Sequence, residues 1–288
     1  MVSQISVRDL QGQLYRVKGN EPILLDDPQT VWVVQSGSLA LFAVTVQDGV
    51  LEGTRRYLFN TGSGEALFGT APSSGNQHRQ MLAVPIGEVE LLKVDRGCFR
   101  ELVANADTRV VSLIEGWIQQ LGTALSQLKT PAIQVRASGQ ARFSLIDGQT
   151  LQLEPGVIAW VQLQQGKLRW MGFKEFPLTS TAGVFPLSDG MWLEAEGAVQ
   201  LATEPTIAFR DSDILVEGLS QLHTQLLHCI HLLEQQERLE ELQRLQEQER
   251  LNRQVTQEAL GELASTLGSQ DGEFFLEGAP LLTVAGAV

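Results

Sequence analysis

Two stretches of this 288-residue sequence hold residue types at spacings that could do chemistry. The first is GSGEALFGTAPSSGNQHRQMLAV, where a strand, a Gly-rich turn and Arg79 precede another strand. Backbone amides near Gly69 and Thr70 with one guanidinium can cradle an anion such as a phosphate. A hairpin loop with a surface Arg is the plainer reading of the same residues, and a lone Arg does not outweigh it. The second stretch is LHTQLLHCIH, with His223, His228, Cys229 and His231. His228 and His231 lie one helical turn apart, the spacing of two ligands to one metal. Cys229 points about 100° away from His228 on an ideal helix, and two histidines leave a zinc site short of ligands. Histidines flanking a hydrophobic helix seam account for the motif without a metal.

No other catalytic signature is present. The sequence has no Gly-x-x-x-x-Gly-Lys-Ser/Thr loop, no Gly-x-Gly-x-x-Gly and no Gly-x-Ser-x-Gly elbow. Paired cysteines at zinc spacing are absent too. The expectation is a protein without enzymatic activity and without a resident cofactor. The five tryptophans read as core, where large aromatic area dominates packing.

The elements that position these residues follow from periodicity. Residues 22–95 alternate short apolar runs with SG, QDG, TGSG, APSSGN and PIG turns, the pattern of a roll, barrel or sandwich. Residues 97–129 shift to helical spacing, with a start at Asp107-Thr108 and a break at Pro131. Residues 134–209 return to short strands. Within the two β segments one phrase recurs. LLDDPQTVWVVQSGSLALF and LQLEPGVIAWVQLQQGKLRW each run from an acidic-Pro turn through a Trp (Trp32, Trp160) and a Gly (Gly37, Gly166) to an aromatic (Phe42, Trp170). Such self-similarity predicts two related β-rolls in tandem.

From Ser212 the pattern becomes one long helix. Leu215, Leu219, Leu222, Leu226, Cys229 and Leu233 step by alternating four and three, a coiled-coil seam that predicts pairing of two copies. The register slips between Leu233 and Leu239, and the following segment is polar on most faces. Glu240 with Arg244, and Glu249 with Arg253, have the favourable four-residue order. After Gly268, GSQDGE reads as a flexible break before the apolar PLLTVAGAV.

Composition narrows the partners. A net charge of −13 speaks against nucleic acid and against an anionic membrane surface. Hydrophobic content of 43% fits a globular protein with real cores. The N-terminus has no apolar signal segment, and no apolar run approaches the roughly 20 residues of a membrane span. Two distant cysteines, Cys98 and Cys229, suit a reducing compartment. The chain is expected to be soluble and cytoplasmic.

Residues 22–130 resemble the cyclic nucleotide-binding fold, through GEALFG, the Arg-led strand RQMLAV, and LLKVDRGCFREL running into helices. That resemblance implies a phosphate partner at Arg79. It also implies a Glu after Phe68-Gly69 to hold a ribose hydroxyl, where this sequence has Thr70. A longer set of strings covers nearly the whole chain: LLDDPQTVWVVQSGSLALFAV, RRYLF, GEALFG, GVIAWV, FPLSDGMWLEA and APLL. These resemble the N-terminal region of the ABC transporter permease/ATPase of nitrile hydratase-leader-type (NHLM/NHLP) bacteriocin export systems. That resemblance implies membrane-spanning and ATPase parts outside these residues.

The expected architecture is mainly β with helices. Residues 1–131 form a cyclic nucleotide-binding-like roll, 132–209 a second, smaller roll, 210–268 a long coiled-coil-capable helix, and 269–288 a linker and apolar tail. The expected role is regulation or docking in a peptide exporter, as a homodimer recognising a substrate leader peptide or gating transport. The alternative is a sensor of a cyclic nucleotide or other anion at Gly69, Thr70 and Arg79. A transcription regulator would need a basic helix-turn-helix after the roll, where the second β segment and acidic 234–253 stand instead.

Overall fold

Long apolar runs interrupted by one glycine make strands that bend without breaking. In the computed structural model, which describes residues 10–72, 77–125, 128 and 130–268, these are β3 (Thr30–Gln47) and β10 (Ala159–Trp170). Gly37 and Gly166 take φ of 85° and 91°, which a side chain resists. A Cβ at Gly37 would overlap the Glu88 carbonyl, and one at Gly166 the Ala198 carbonyl. Each glycine sits beside register shifts in a pairing with one other long strand, β6 (Gln77–Asp95) or β13 (Trp192–Glu204).

The same connectivity surrounds both long pairs. In the first sheet β6 also pairs β1 (Gln13–Val17) and β2 (Ile23–Leu24), while β3 pairs β4 (Val50–Gly62) and β5 (Ala66–Phe68). In the second, β13 also pairs β8 (Ala141–Leu145) and β9 (Thr150–Leu153), while β10 pairs β11 (Pro177–Thr179) and β12 (Val184–Leu187). The short strand β7 (Val135–Ala137) adds to β9 in parallel. The repeated phrase therefore lies on corresponding strands.

Its two tryptophans do not correspond. Trp32 stands five residues before Gly37 and Trp160 six before Gly166. Strand side chains alternate with a period of two, so one residue of offset turns them to different faces. Trp32 is half-buried, edge-on to Tyr15 at 5.3 Å and under the Lys93 ammonium at 5.6 Å. Trp160 is fully buried and donates its N–H to Thr206 Oγ1 at 3.0 Å.

Helices α1 (Arg96–Ala104) and α2 (Thr108–Ala124) follow the first sheet. The Asp107 carboxylate accepts the Arg109 amide at 2.9 Å as the cap of α2. The Arg109 side chain, hydrogen-bonded to it, holds that carboxyl below the usual range. α2 buries Val110, Leu113, Ile114, Trp117, Ile118 and Leu121 on one stripe. A 3-10 turn (Thr206–Ala208) then leads from the second sheet to α3 (Ser212–Gly268).

Internal contacts divide the chain into Met1–His231 and Leu232–Val288, so both sheets and the start of α3 share one unit. There the expected pairing seam is revised. Leu215, Leu219, Leu222, Leu226 and Cys229 are at most 3% exposed within a single chain, which leaves them no surface for a second copy. Their neighbours His223, Leu227 and Ile230 are buried as well, widening the stripe beyond a coiled-coil seam. A spacing of three and four reads the same whether the stripe meets a helix or sheets. Leu233, the last seam residue, is half-buried and belongs to the second unit, whose described residues from Gln235 onward are exposed wherever their burial is defined. No helix is long and apolar enough to cross a membrane among the described residues.

Candidate functional site

The start of β6 and the last buried turns of α3 enclose a cleft of about 390 Å³. From the sheet side come Thr45, Thr70, Ala71, His78, Arg79 and Gln80; from α3 come Thr224, Leu227, His228 and His231. Thr45 stands opposite Arg79 in the β3–β6 register. The cleft therefore gathers Thr70 and Arg79 with His228 and His231, which sequence spacing treats as separate features.

The turn after β5 is held from three directions. The Thr70 amide donates to the Leu25 carbonyl at 3.0 Å, and its carbonyl accepts from Gln80 Nε2 at 2.9 Å. Its hydroxyl lies 3.1 Å from Ser220 Oγ on α3. Thr70 is buried, so the position where the nucleotide-binding resemblance implies a Glu is here a polar stitch from sheet to helix. Gly69 lies against the Asp27 backbone, where any Cβ would overlap the carbonyl, and does not line the cleft. Its role is close packing. The expected Gly-rich cradle falls largely on residues 73–76, outside the described residues.

The described lining is made of basic, neutral polar and apolar side chains. No Asp or Glu is among the described lining residues, in a chain of net charge −13. Arg79 supplies a permanent cation, and His78, His228 and His231 supply imidazoles from two elements. His228 also packs edge-on to Phe176 at 4.9 Å, so one wall of the cleft touches the segment between β10 and β11. Among the described residues no three His, Cys, Asp or Glu side chains converge as a metal-ion site. Cys229 is a buried free thiol, pushed by burial up to about 12.

Thr45, His78, Gln80, Thr224 and Leu227 are site residues that motif reading missed. His78 and Gln80 carried a signal, flanking Arg79 in the sequence. Thr45 and Thr224 carried none, because only strand register and helix docking bring them in.

No protein-family model matches the chain. No curated protein matches it either. Among solved structures it is similar to oxidized CprK in complex with o-chlorophenolacetic acid, at 10% identity and a TM-score of 0.31, over 40% of this chain and 46% of that one. A CooA variant from Carboxydothermus hydrogenoformans matches at 14% identity and TM-score 0.28, over 40% and 70%. The Thermus thermophilus catabolite activator protein matches at 23% and 0.27, over 38% and 49%. The match spans about half the length of the CprK structures. Likeness this weak assigns neither ligand nor activity.

Proposed function

We propose that the chain is a ligand-sensing module whose cleft between β6 and α3 takes a small anion, a cyclic nucleotide or another phosphate ester. The observation that carries this reading is the meeting of Arg79 with three histidines, and no described carboxylate, inside an acidic chain. A guanidinium in a partly enclosed site binds phosphate through charge-assisted hydrogen bonds. A volume of about 390 Å³ suits a small-molecule ligand. With Thr70 engaged by Ser220, recognition rests on the charged group more than on a ribose hydroxyl. Isothermal calorimetry with cyclic AMP, cyclic GMP and inorganic pyrophosphate tests it. Heat from at least one of them that disappears in Arg79→Ala supports the reading; no heat from any at millimolar concentration ends it.

We place this sensor, on the sequence strings alone, at the cytoplasmic face of a peptide ABC exporter, where it would gate transport or dock the substrate's leader peptide. Fluorescence anisotropy with a labelled nitrile hydratase-type leader peptide tests that placement. Saturable binding supports it, and a flat titration removes the docking role.

A further inference from the structure

The second unit carries large apolar side chains that are exposed among its described residues. Leu239, Leu242, Leu260 and Leu263 are 60%, 54%, 47% and 58% exposed on α3. Stepping by three and four from Leu239 gives residues 239, 242, 246, 249, 253, 256, 260 and 263, one continuous seam. Leucine occupies both ends. The middle reads Gln246, Glu249, Arg253 and Thr256. Arg253 and Glu249 form an ion pair at 2.6 Å, both largely exposed.

This order is symmetric about residue 251, and its charges are not self-complementary in every orientation. We infer that this seam pairs antiparallel with the same seam of a second copy of the chain. In that arrangement Leu239 meets Leu263 of the partner subunit and Leu242 meets Leu260 of the partner subunit. Glu249 then meets Arg253 of the partner subunit, and Arg253 meets Glu249 of the partner subunit, closing the two intrachain ion pairs into a four-membered network. A parallel in-register pair would stack Glu249 on Glu249 and Arg253 on Arg253, like charges in the middle of the interface. Polar residues at seam positions fix register and orientation at some cost in stability. The seam is about 37 Å long at the helical rise of ~1.5 Å per residue. Leu251 and Val255 fall on another face and take no part. The inference does not depend on the anion cleft.

Disulfide trapping on the full chain tests it. Gln246→Cys and Thr256→Cys are made separately in a Cys98→Ser background, Cys229 being buried. Mixed and oxidised, they are expected to give the 246–256 cross-link, and neither variant alone is expected to cross-link at its own position. The unmodified chain is expected to show a dimer's mass by light scattering. Glu249→Arg sets like charges against each other and is expected to weaken dimerisation at least tenfold, while circular dichroism stays that of a folded helix. Cross-linking of Gln246→Cys to itself would establish the parallel form and overturn the inference. A monomeric mass, or an oligomer larger than a dimer, would overturn it equally.

Discussion

The indole N–H of Trp117 on α2 donates to Nε2 of His223 on α3 at 2.6 Å, and the histidine is fully buried. Accepting at Nε2 leaves the ring proton on Nδ1, which has no partner among the described residues. The contact ties the helix behind the first sheet to the helix that lines the cleft. Phe59 and Phe68 stack on the other edges of Trp117, at 5.7 and 6.1 Å.

Burial pushes His223 down to about 3 from an ordinary value of 6.5. The unfolded chain then binds a proton that the folded chain refuses between those values. The stability due to the neutral ring is complete above pH 6.5 and is lost as pH falls toward 3. The slope from this one group is at most ~1.4 kcal/mol per pH unit. Urea titrations at pH 7.5, 6 and 5 on the native chain and His223→Gln should differ by a shallower pH dependence in the variant. Parallel curves would show that His223 does not titrate this way.

Trp117→Phe keeps the aromatic packing and removes the N–H. It leaves Nε2 of a buried imidazole without its donor, and a cost of about 1–3 kcal/mol is expected in the denaturation midpoint.

Much of this was legible in the sequence because it rests on local pattern. The Asp107 cap and the change from strand to helical spacing near residue 97 declare themselves within a few residues, whereas the glycines at 37 and 166, which read as turns between short strands, prove to be bends inside the single strands β3 and β10. The helix α3 was legible as a helix and misleading as an interface. Leu215 to Cys229 have coiled-coil spacing, yet they are buried within one chain, where this stretch of α3 meets Trp117 of α2, 106 residues before His223, and Trp160 and Val184 of the second sheet. Arg79 was visible and its histidine neighbours were not linked to it, since 149 residues separate Arg79 from His228. Trp32 and Trp160 looked equivalent because a one-residue offset is invisible in a phrase and decisive in a strand.

Gly218 and Gly261 lie on the same helix, and alanine should act oppositely at the two. A Cβ at Gly218 would stand 2.6 Å from Trp160 Cζ3 and from the Val184 carbonyl, whereas one at Gly261 would meet nothing within 4 Å. Gly218→Ala is expected to destabilise by about 1–3 kcal/mol despite better helix propensity. Gly261→Ala should gain up to ~1 kcal/mol of local helix stability. Thermal denaturation followed by tryptophan fluorescence reads the first, and amide exchange around residue 261 the second.

Thr70→Val preserves the shape of the turn and deletes the hydroxyl shared with Ser220. A loss of about 1 kcal/mol is expected from one net hydrogen bond. If the cleft binds an anion through Arg79, the Thr70→Val protein should keep that affinity within severalfold, measured by calorimetry beside Arg79→Ala. An equal loss in both would make Thr70 a ligand contact.

Both sheets depend on residues that leave the ribosome after the strands themselves. The first sheet is translated by Asp95 and the second by Glu204, yet Ser220, Gly218 and His223, which close onto Thr70, Trp160 and Trp117, all follow Ser212. A nascent chain therefore carries two apolar faces, with Trp117 and Trp160 uncovered, until α3 arrives. A premature stop before residue 212 would release a product that has finished its strands and cannot cover them, a substrate for chaperones and proteases.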